Sequence, residues 1–455
     1  MMKKRDYRPK IHFSPEEGWM NDPNGMVYVD GVYHFFYQKY PYDTSWGPMH
    51  WGHATSRDLI HWEHQPIALY PDELGFIFSG SAVYDTQNSS EYGTNENPPI
   101  IAIYTSHHKD GLEQQSIAYS NDKGRHFEKS YLNPVIKNPG ISDFRDPKAF
   151  WNPVRRCWSL VLAAQDRVFF YASQDMKNWE KTGEFGPEGN HVKGVWECPD
   201  LFEIDGQQIM TCCPQGVDQK GYDYQNVYQC GYFPVEFDLK NKSYSFGKFQ
   251  EFDKGFDIYA TQTFLDEQGR RILIGWMGIP DADYDNDATV AYDWIHALTM
   301  PRELEWKDGK ILQHPLKEMK DLRKNAFTCE LEAFTKWAPA DCCFELRLDV
   351  EEAKNLELKL REDVTISWKD GLFTLSMGES GRGRKQRFAK VEELSDITIF
   401  SDTSAIEIFI NNGETVLTTR VYSEHLEQKV ELVSREVKGS VHGYELGSFE
   451  VEYKK

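Results

Sequence analysis

Three acidic side chains carry the chemistry that this sequence suggests. Asp22 lies in Trp19-Met20-Asn21-Asp22-Pro23-Asn24-Gly25, Asp146 in Phe144-Arg145-Asp146-Pro147, and Glu197 in Val195-Trp196-Glu197-Cys198-Pro199-Asp200. Pro23 biases Asp22 away from the α region, and Asn24-Gly25 is a turn signal. The Asp22 carboxylate is therefore expected on an extended segment that turns at once, with Trp19 as an apolar wall. Carboxyl groups in one pocket take different roles when their surroundings split their pKa values. One in an apolar setting keeps its proton, and one in a polar setting stays ionised. Hydrolysis of a glycosidic bond needs such a pair. By setting, Glu197, between Trp196 and Cys198, is the candidate general acid. Asp22, with Asn21 and Asn24 around it, is the candidate ionised nucleophile, and Asp146 beside Arg145 should stay ionised and bind sugar hydroxyls. Each of the three also suits a plain structural role, capping a turn before proline.

The elements that must hold these groups are strands. Met26–Val29 and Val32–Tyr37 alternate around Asp30-Gly31, a type I′ hairpin signature. Further strand-like runs are Ile100–Thr105, Ser116–Tyr119, Trp158–Ala163, Val168–Ala172, Gln208–Thr211 and Arg271–Trp276. A unit recurs within them. A strand ends in Ser-x-Asp at Ser56, Ser120 and Ser173, and an aromatic comes after it at Trp62, Phe127 and Trp179. Spacings of 64 and 53 residues suit four-stranded blades of a β-propeller, with room for five blades before residue 300. The carboxylates stand 124 and 51 residues apart, which puts them on separate blades that converge on one axis.

The expected organisation is a propeller over residues 1–300, a charged linker with a short helix over 301–325, and a β-sandwich over 326–455. The sandwich reading rests on seven short strand candidates from Cys343 to Val421. A net charge of −21 argues against nucleic acid or an anionic membrane as a partner. The eight cysteines include the adjacent pairs Cys212-Cys213 and Cys342-Cys343, a poor layout for disulfides, and no C-x-x-C zinc spacing occurs. Met1–Phe13 has no apolar core of a secretory signal, and no run is long enough to span a membrane. A reduced, cytoplasmic protein without metal or cofactor is expected. The pattern does not specify an oligomeric state.

The three acidic motifs, in this order and at these intervals, resemble glycoside hydrolase family 32, the invertases, fructanases and sucrose-6-phosphate hydrolases. The resemblance runs the length of the chain, through Phe78-Ser79-Gly80-Ser81, Gly255–Ala260, Ile274–Met277 and Ile406–Gly413. It implies a five-bladed propeller followed by a sandwich, with Asp22 as nucleophile, Asp146 as transition-state stabiliser and Glu197 as general acid/base. It also implies substrate contacts at Asn21, Gln38, Trp46, Phe78, Ser79, Arg145, Asp257 and Trp276, although each tryptophan equally suits core packing. The partner implied is a small fructosyl sugar. Similarity is strongest to bacterial sucrose-6-phosphate hydrolases around Gly255–Ala260 and Trp294–Arg302, which implies glucose 6-phosphate and fructose as products. Plain sucrose or short fructo-oligosaccharides are the alternative substrates, and a non-catalytic sugar-binding propeller is the alternative class. Two departures, Gln38-Lys39-Tyr40-Pro41 and Asp257-Ile258-Tyr259-Ala260-Thr261-Gln262, leave the leaving-group side open. A phosphate there would want a basic residue, and Lys39 and Lys193 are near in sequence, though each reads as surface charge.

Three other features read as structural. Asp281–Asp287 fails the calcium-loop spacing, lacking Gly at position 6 and Glu at position 12, and reads as a solvated acidic loop. His50 with His53, and His107 with His108, do not present two nitrogens to one metal. Gly381-Arg382-Gly383-Arg384-Lys385 reads as an exposed basic turn.

Overall fold

The computed structural model describes residues 7–186, 192–238, 243–424, 429–434, 436–449 and 451–453; the start of the Met1–Phe13 stretch lies outside them. The chain is all-β. Among the described residues, regular structure other than the short 3₁₀ turns Asp287–Tyr292, Lys317–Leu322 and Glu379–Gly381 is strand. The described residues up to Pro315 include five antiparallel meanders. Their innermost strands are Gly18–Val29, Phe76–Tyr84, Phe144–Asn152, Lys193–Ile204 and Tyr259–Leu265. Each packs on the next, and the last returns to the first, so the five close a ring.

Sequence explains which strand lies where. Ile100–His107 and Cys157–Ala164, second in their sheets, are apolar on both faces and buried, because neighbouring sheets cover both sides. Glu180–Phe185, the outer strand of the third sheet, is polar and largely exposed. The Ser-x-Asp repeat is one turn built three times. In each copy the serine hydroxyl donates to the aspartate two residues on, at 3.2 Å for Ser56–Asp58, 2.8 Å for Ser120–Asp122 and 3.0 Å for Ser173–Asp175. The aspartate then accepts backbone N–H groups further along the turn, such as those of Ile60 and His61. This turn reverses the chain into the fourth strand of the first three sheets.

The Asp30-Gly31 hairpin forms where the sequence places it, with both residues at positive φ. The turn expected at Asn24-Gly25 does not. Both residues lie inside Gly18–Val29, and Gly25, at φ +54°, sits in a bulge. A Cβ there would meet the Phe36 ring at 2.8 Å, so the glycine is needed for close packing rather than for a reversal.

The linker expected over 301–325 also gives way. Arg302–Lys307 pairs with Arg271–Trp276 on one side and with Lys310–Pro315 on the other, completing the fifth sheet. Only the 3₁₀ turn Lys317–Leu322 separates this sheet from the C-terminal unit. That unit is two six-stranded sheets facing each other across one apolar core that includes Leu346, Ile366, Phe373, Ile399 and Ile408. After them Val451–Tyr453 returns to the first sheet, pairing in parallel with the strand Trp62–Leu69.

The two units are joined by buried ions. Arg302 donates to Glu407 at 2.7 and 3.0 Å, to Asp253 at 3.2 Å and to Gln313 at 2.9 Å. His12 lies between Asp402 (2.8 Å) and Glu407 (3.0 Å). Arg384, expected in an exposed turn, is instead fully buried and bonds both oxygens of Asp257 at 2.7 Å. Backbone contacts accompany these pairs: the N–H groups of Phe256 and Asp257 both donate to the Thr418 carbonyl.

Burial alone would lower the pKa of His12, but its bonds to Asp402 and Glu407 outweigh that and raise it to about 9. A histidine raised in this way adds stability in full below its unfolded value near 6.5, and that stability is lost as pH rises through about 9. His12→Asn leaves two buried carboxylates short of a cation and should cost about 3–5 kcal/mol. Denaturant midpoints measured from pH 6 to 10 should fall through this window for the wild type and stay flatter for the variant.

Candidate active site

All five innermost strands bulge where they approach the ring centre. The irregularities lie at Met20/Pro23, Ile77/Gly80, Glu197/Asp200 and Tyr259/Gln262, and in the third sheet opposite Val161/Ala163. Asp146, Cys198 and Ala260 take φ of +62°, +48° and +50° at these points. A bulge re-aims the side chain beside it. Here the re-aimed groups are Asp22, Ser79, Asp146, Glu197 and Tyr259, which line one cleft of about 760 Å³.

The polar contacts inside interlock the motifs. Trp19 Nε1 donates to Asn21 (2.8 Å), and Asn21 Nδ2 donates to Asp22 Oδ1 (2.9 Å). Ser79 Oγ donates to Asp22 Oδ2 at 2.6 Å. Arg145 and Asp146, adjacent in sequence, face different partners. Arg145 Nε and Nη2 converge on Glu197 Oε1, while its Nη1 reaches Glu113 and Asp143. Asp146 accepts the Cys198 backbone N–H at 2.9 Å, and the Cys198 thiol lies 3.8 Å from Asp22 Oδ2. Each acidic motif is thus held by another.

Burial raises Asp22 to about 6, partly offset by the Ser79 and Asn21 hydrogen bonds and reinforced by the Glu197 charge. Burial also raises Asp146, to about 7; the Arg145 charge opposes this, and Glu197 and Asp22 add to it. Both aspartates therefore ionise at higher pH than the polar settings read from sequence imply. The assignment of Glu197 to the apolar setting changes as well. Trp196 turns away and stacks on Phe233 at 5.4 Å. Glu197 accepts from Arg145 on Oε1, and from Gln215 (2.8 Å) and Tyr259 (2.6 Å) on Oε2.

Among the sugar contacts expected from sequence, Asn21, Gln38, Trp46, Phe78, Ser79, Arg145 and Trp276 line the cleft. Gln38 is tied to the Ile77 carbonyl at 2.9 Å. Trp46 is 52% exposed at the mouth, edge-on to Phe78, which itself stacks on His107 at 4.1 Å. Trp276 packs against Trp19 and His296 with its indole N–H unpaired. Asp257 is the exception. It is buried outside the cleft, ion-paired to Arg384, where it joins the two units. Tyr259, two residues on, is the member of that motif that reaches the site. Glu113, His107, Tyr259, Gln215 and the loop carrying Asp281, Asp285 and Asp287 were not anticipated as site residues. Among the described residues no cluster of side chains is arranged to hold a metal ion.

The model of the glycosyl hydrolases family 32 N-terminal domain matches residues 12–315, and that of the family 32 C-terminal domain matches residues 316–451. The chain belongs to glycosyl hydrolases family 32. Among family 32 relatives, a levanase of Bacillus subtilis is 38% identical over 94% of this chain and 68% of its own length. A sucrose-6-phosphate hydrolase of Klebsiella pneumoniae is 36% identical, covering 91% of this chain and 88% of that protein. The solved GH32 β-fructofuranosidase of Bombyx mori is 34% identical and superposes with a TM-score of 0.86 over 98% of this chain and 95% of its own. As a family 32 member, the chain is a glycoside hydrolase acting on β-fructofuranosides.

The buried carboxylates give two expected outcomes. A carboxylate whose folded pKa lies above its unfolded value opposes folding once pH exceeds that value. Asp22→Asn should therefore stabilise the protein at pH 8 by on the order of 1–3 kcal/mol in chemical denaturation while abolishing turnover. The Ser79 hydrogen bond lowers the Asp22 pKa. Ser79→Ala should move the acid limb of the kcat/KM–pH profile to higher pH; a limb that moves down or stays fixed would contradict the coupling.

Proposed function

We propose that this chain is a retaining β-fructofuranosidase, cleaving sucrose or sucrose 6-phosphate. Asp22 acts as nucleophile, Glu197 as acid/base and Asp146 as the stabiliser of the transition state. The observation that carries this reading is the interlock of the three carboxylates in one cleft, Arg145 holding Glu197 while the Cys198 amide holds Asp146. In the first step an Asp22 oxygen attacks C2 of the fructosyl unit. The C2–O bond to the leaving group breaks, and the Glu197 proton passes to the departing oxygen. In the second, Glu197 takes a proton from water, the water oxygen bonds to C2, and the Asp22 carboxylate is released. Asp146 lies behind both as a hydrogen-bonding partner for fructose hydroxyls, and Asn21, Gln38, Ser79, Trp46, Phe78 and Trp276 form the rest of the subsite. A mutant of the Bombyx mori neighbour has also been solved in complex with sucrose.

We read the five closed meanders as the blades of a five-bladed propeller and the two facing six-stranded sheets as a β-sandwich, dividing near residue 315 rather than 300. All eight cysteines are free, which suits a reducing, cytoplasmic compartment.

Glu197→Gln should lower kcat on sucrose by about 10²–10⁴-fold in a fructose-release assay. With methanol present, the wild type should form methyl β-fructofuranoside, seen by NMR, because the covalent intermediate is intercepted from the face the leaving group left. The α-anomer as first product would overturn the retaining mechanism, and wild-type turnover in Glu197→Gln would overturn the role of Glu197.

A further inference from the structure

We infer that the leaving-group side of this cleft selects an uncharged sugar and rejects one carrying a 6-phosphate. The inference rests on the fructosidase reading and narrows its substrate.

The direction of the leaving group is set by the acid. Tyr259 donates to Glu197, the Tyr228 ring lies 6.1 Å from that of Tyr259, and the Tyr228 hydroxyl donates to Asp281 at 2.7 Å. The loop of Asp281, Asp285 and Asp287 therefore borders the side on which Glu197 delivers its proton. These three carboxylates are exposed, and Glu113 adds another deeper in.

A phosphate needs free cationic donors. Among the described residues the cleft lining holds seven carboxylates and one cation, Arg145. Its three donor nitrogens are already turned to Glu197, Glu113 and Asp143. The two lysines that the sequence placed near this side are elsewhere. Lys39 is buried on the strand Val32–Tyr40, outside the lining, and Lys193 is exposed and also outside it. Arg382, next to the loop, is bonded to Asp285 at 2.7 Å. A sugar phosphate would thus bring its negative charge to a rim of the same sign, and like charges within a few ångströms repel in a site where water screens them incompletely. Neutral sucrose or a neutral fructo-oligosaccharide meets no such barrier.

The test compares kcat/KM for sucrose, 1-kestose and sucrose 6-phosphate on the wild-type protein at low and high ionic strength. Sucrose and 1-kestose should exceed sucrose 6-phosphate by roughly tenfold or more at low salt, and the gap should narrow as salt screens the rim. Asp281→Asn with Asp287→Asn should raise the rate on sucrose 6-phosphate relative to sucrose. Asp308→Asn, in the hairpin turn after Arg302–Lys307 and outside the cleft lining, should leave the ratio unchanged. Equal or faster turnover of sucrose 6-phosphate would overturn the inference and leave the fructosidase reading intact. A gap insensitive to both salt and the double substitution would overturn its electrostatic cause. No fructose from any of the three sugars would overturn the fructosidase reading itself.

Discussion

The cleft depends on Arg145. Three carboxylates stand together at the ring centre, and like charges so placed cannot all ionise without a compensating cation. Arg145 is that cation. Two of its nitrogens converge on Glu197 Oε1 and the third reaches Glu113 and Asp143. Lysine would not serve, because an ammonium is a point charge and the planar fork is what spans carboxylates on three segments. Compensation is incomplete, since Asp22 and Asp146 remain raised to about 6 and 7. Raised carboxyls of this kind, buried in a cleft beside a specific charge partner, cluster at functional sites.

Holding such groups in place costs stability, which the rest of the fold must supply. The five bulges give up backbone regularity at the ring centre, with Asp146, Cys198 and Ala260 in the left-handed region. The compensation lies at the periphery and in the second unit. The doubly buried middle strands contribute there, as does the apolar core between the two six-stranded sheets. The joint between units is itself polar, with Arg302, Asp253, Glu407, His12 and Asp402 all buried and mutually bonded. A buried ion network tolerates few alternative geometries, so it fixes how the C-terminal unit sits against the fifth sheet. Gly255 belongs to the same requirement, since a Cβ there would meet the Thr418 carbonyl at 2.1 Å.

Much of this was legible in the sequence, and the failures share a cause. Strand alternation and the Ser-x-Asp turns are local, so they survived folding unchanged. The acidic motifs were legible because proline, glycine and carboxylate fall together in them. What local reading missed is direction. Trp196 neighbours Glu197 in sequence but faces Phe233, so the apolar setting it suggested for the acid is absent. Asp257 and Tyr259 share one motif, yet the bulge sends Tyr259 to the cleft and leaves Asp257 to Arg384. Arg384 looked like an exposed turn because its partner lies 127 residues away. The acidic loop looked merely solvated because no sequence pattern links it to Tyr228 and the cleft. Ion pairs and bulges are products of tertiary packing, and only short-range pattern is written in residue order.

Tyr259 shows what its placement accomplishes. Its hydroxyl lies 2.6 Å from Glu197 Oε2 and 3.0 Å from the Cys213 carbonyl, and it carries one hydrogen for two acceptors. With Glu197 ionised, that hydrogen points to the carboxylate. With Glu197 protonated, it turns to the carbonyl, and the tyrosine oxygen accepts the proton of the acid instead. Both forms of Glu197 keep a hydrogen-bond partner without movement of a heavy atom. The acid/base role proposed for Glu197, donating a proton in one half of the reaction and removing one in the other, calls for a neighbour indifferent to which form it is in. A serine at the end of a flexible loop would not hold that position. A tyrosine fully buried behind a bulge, with Cys213 on the adjoining sheet, does.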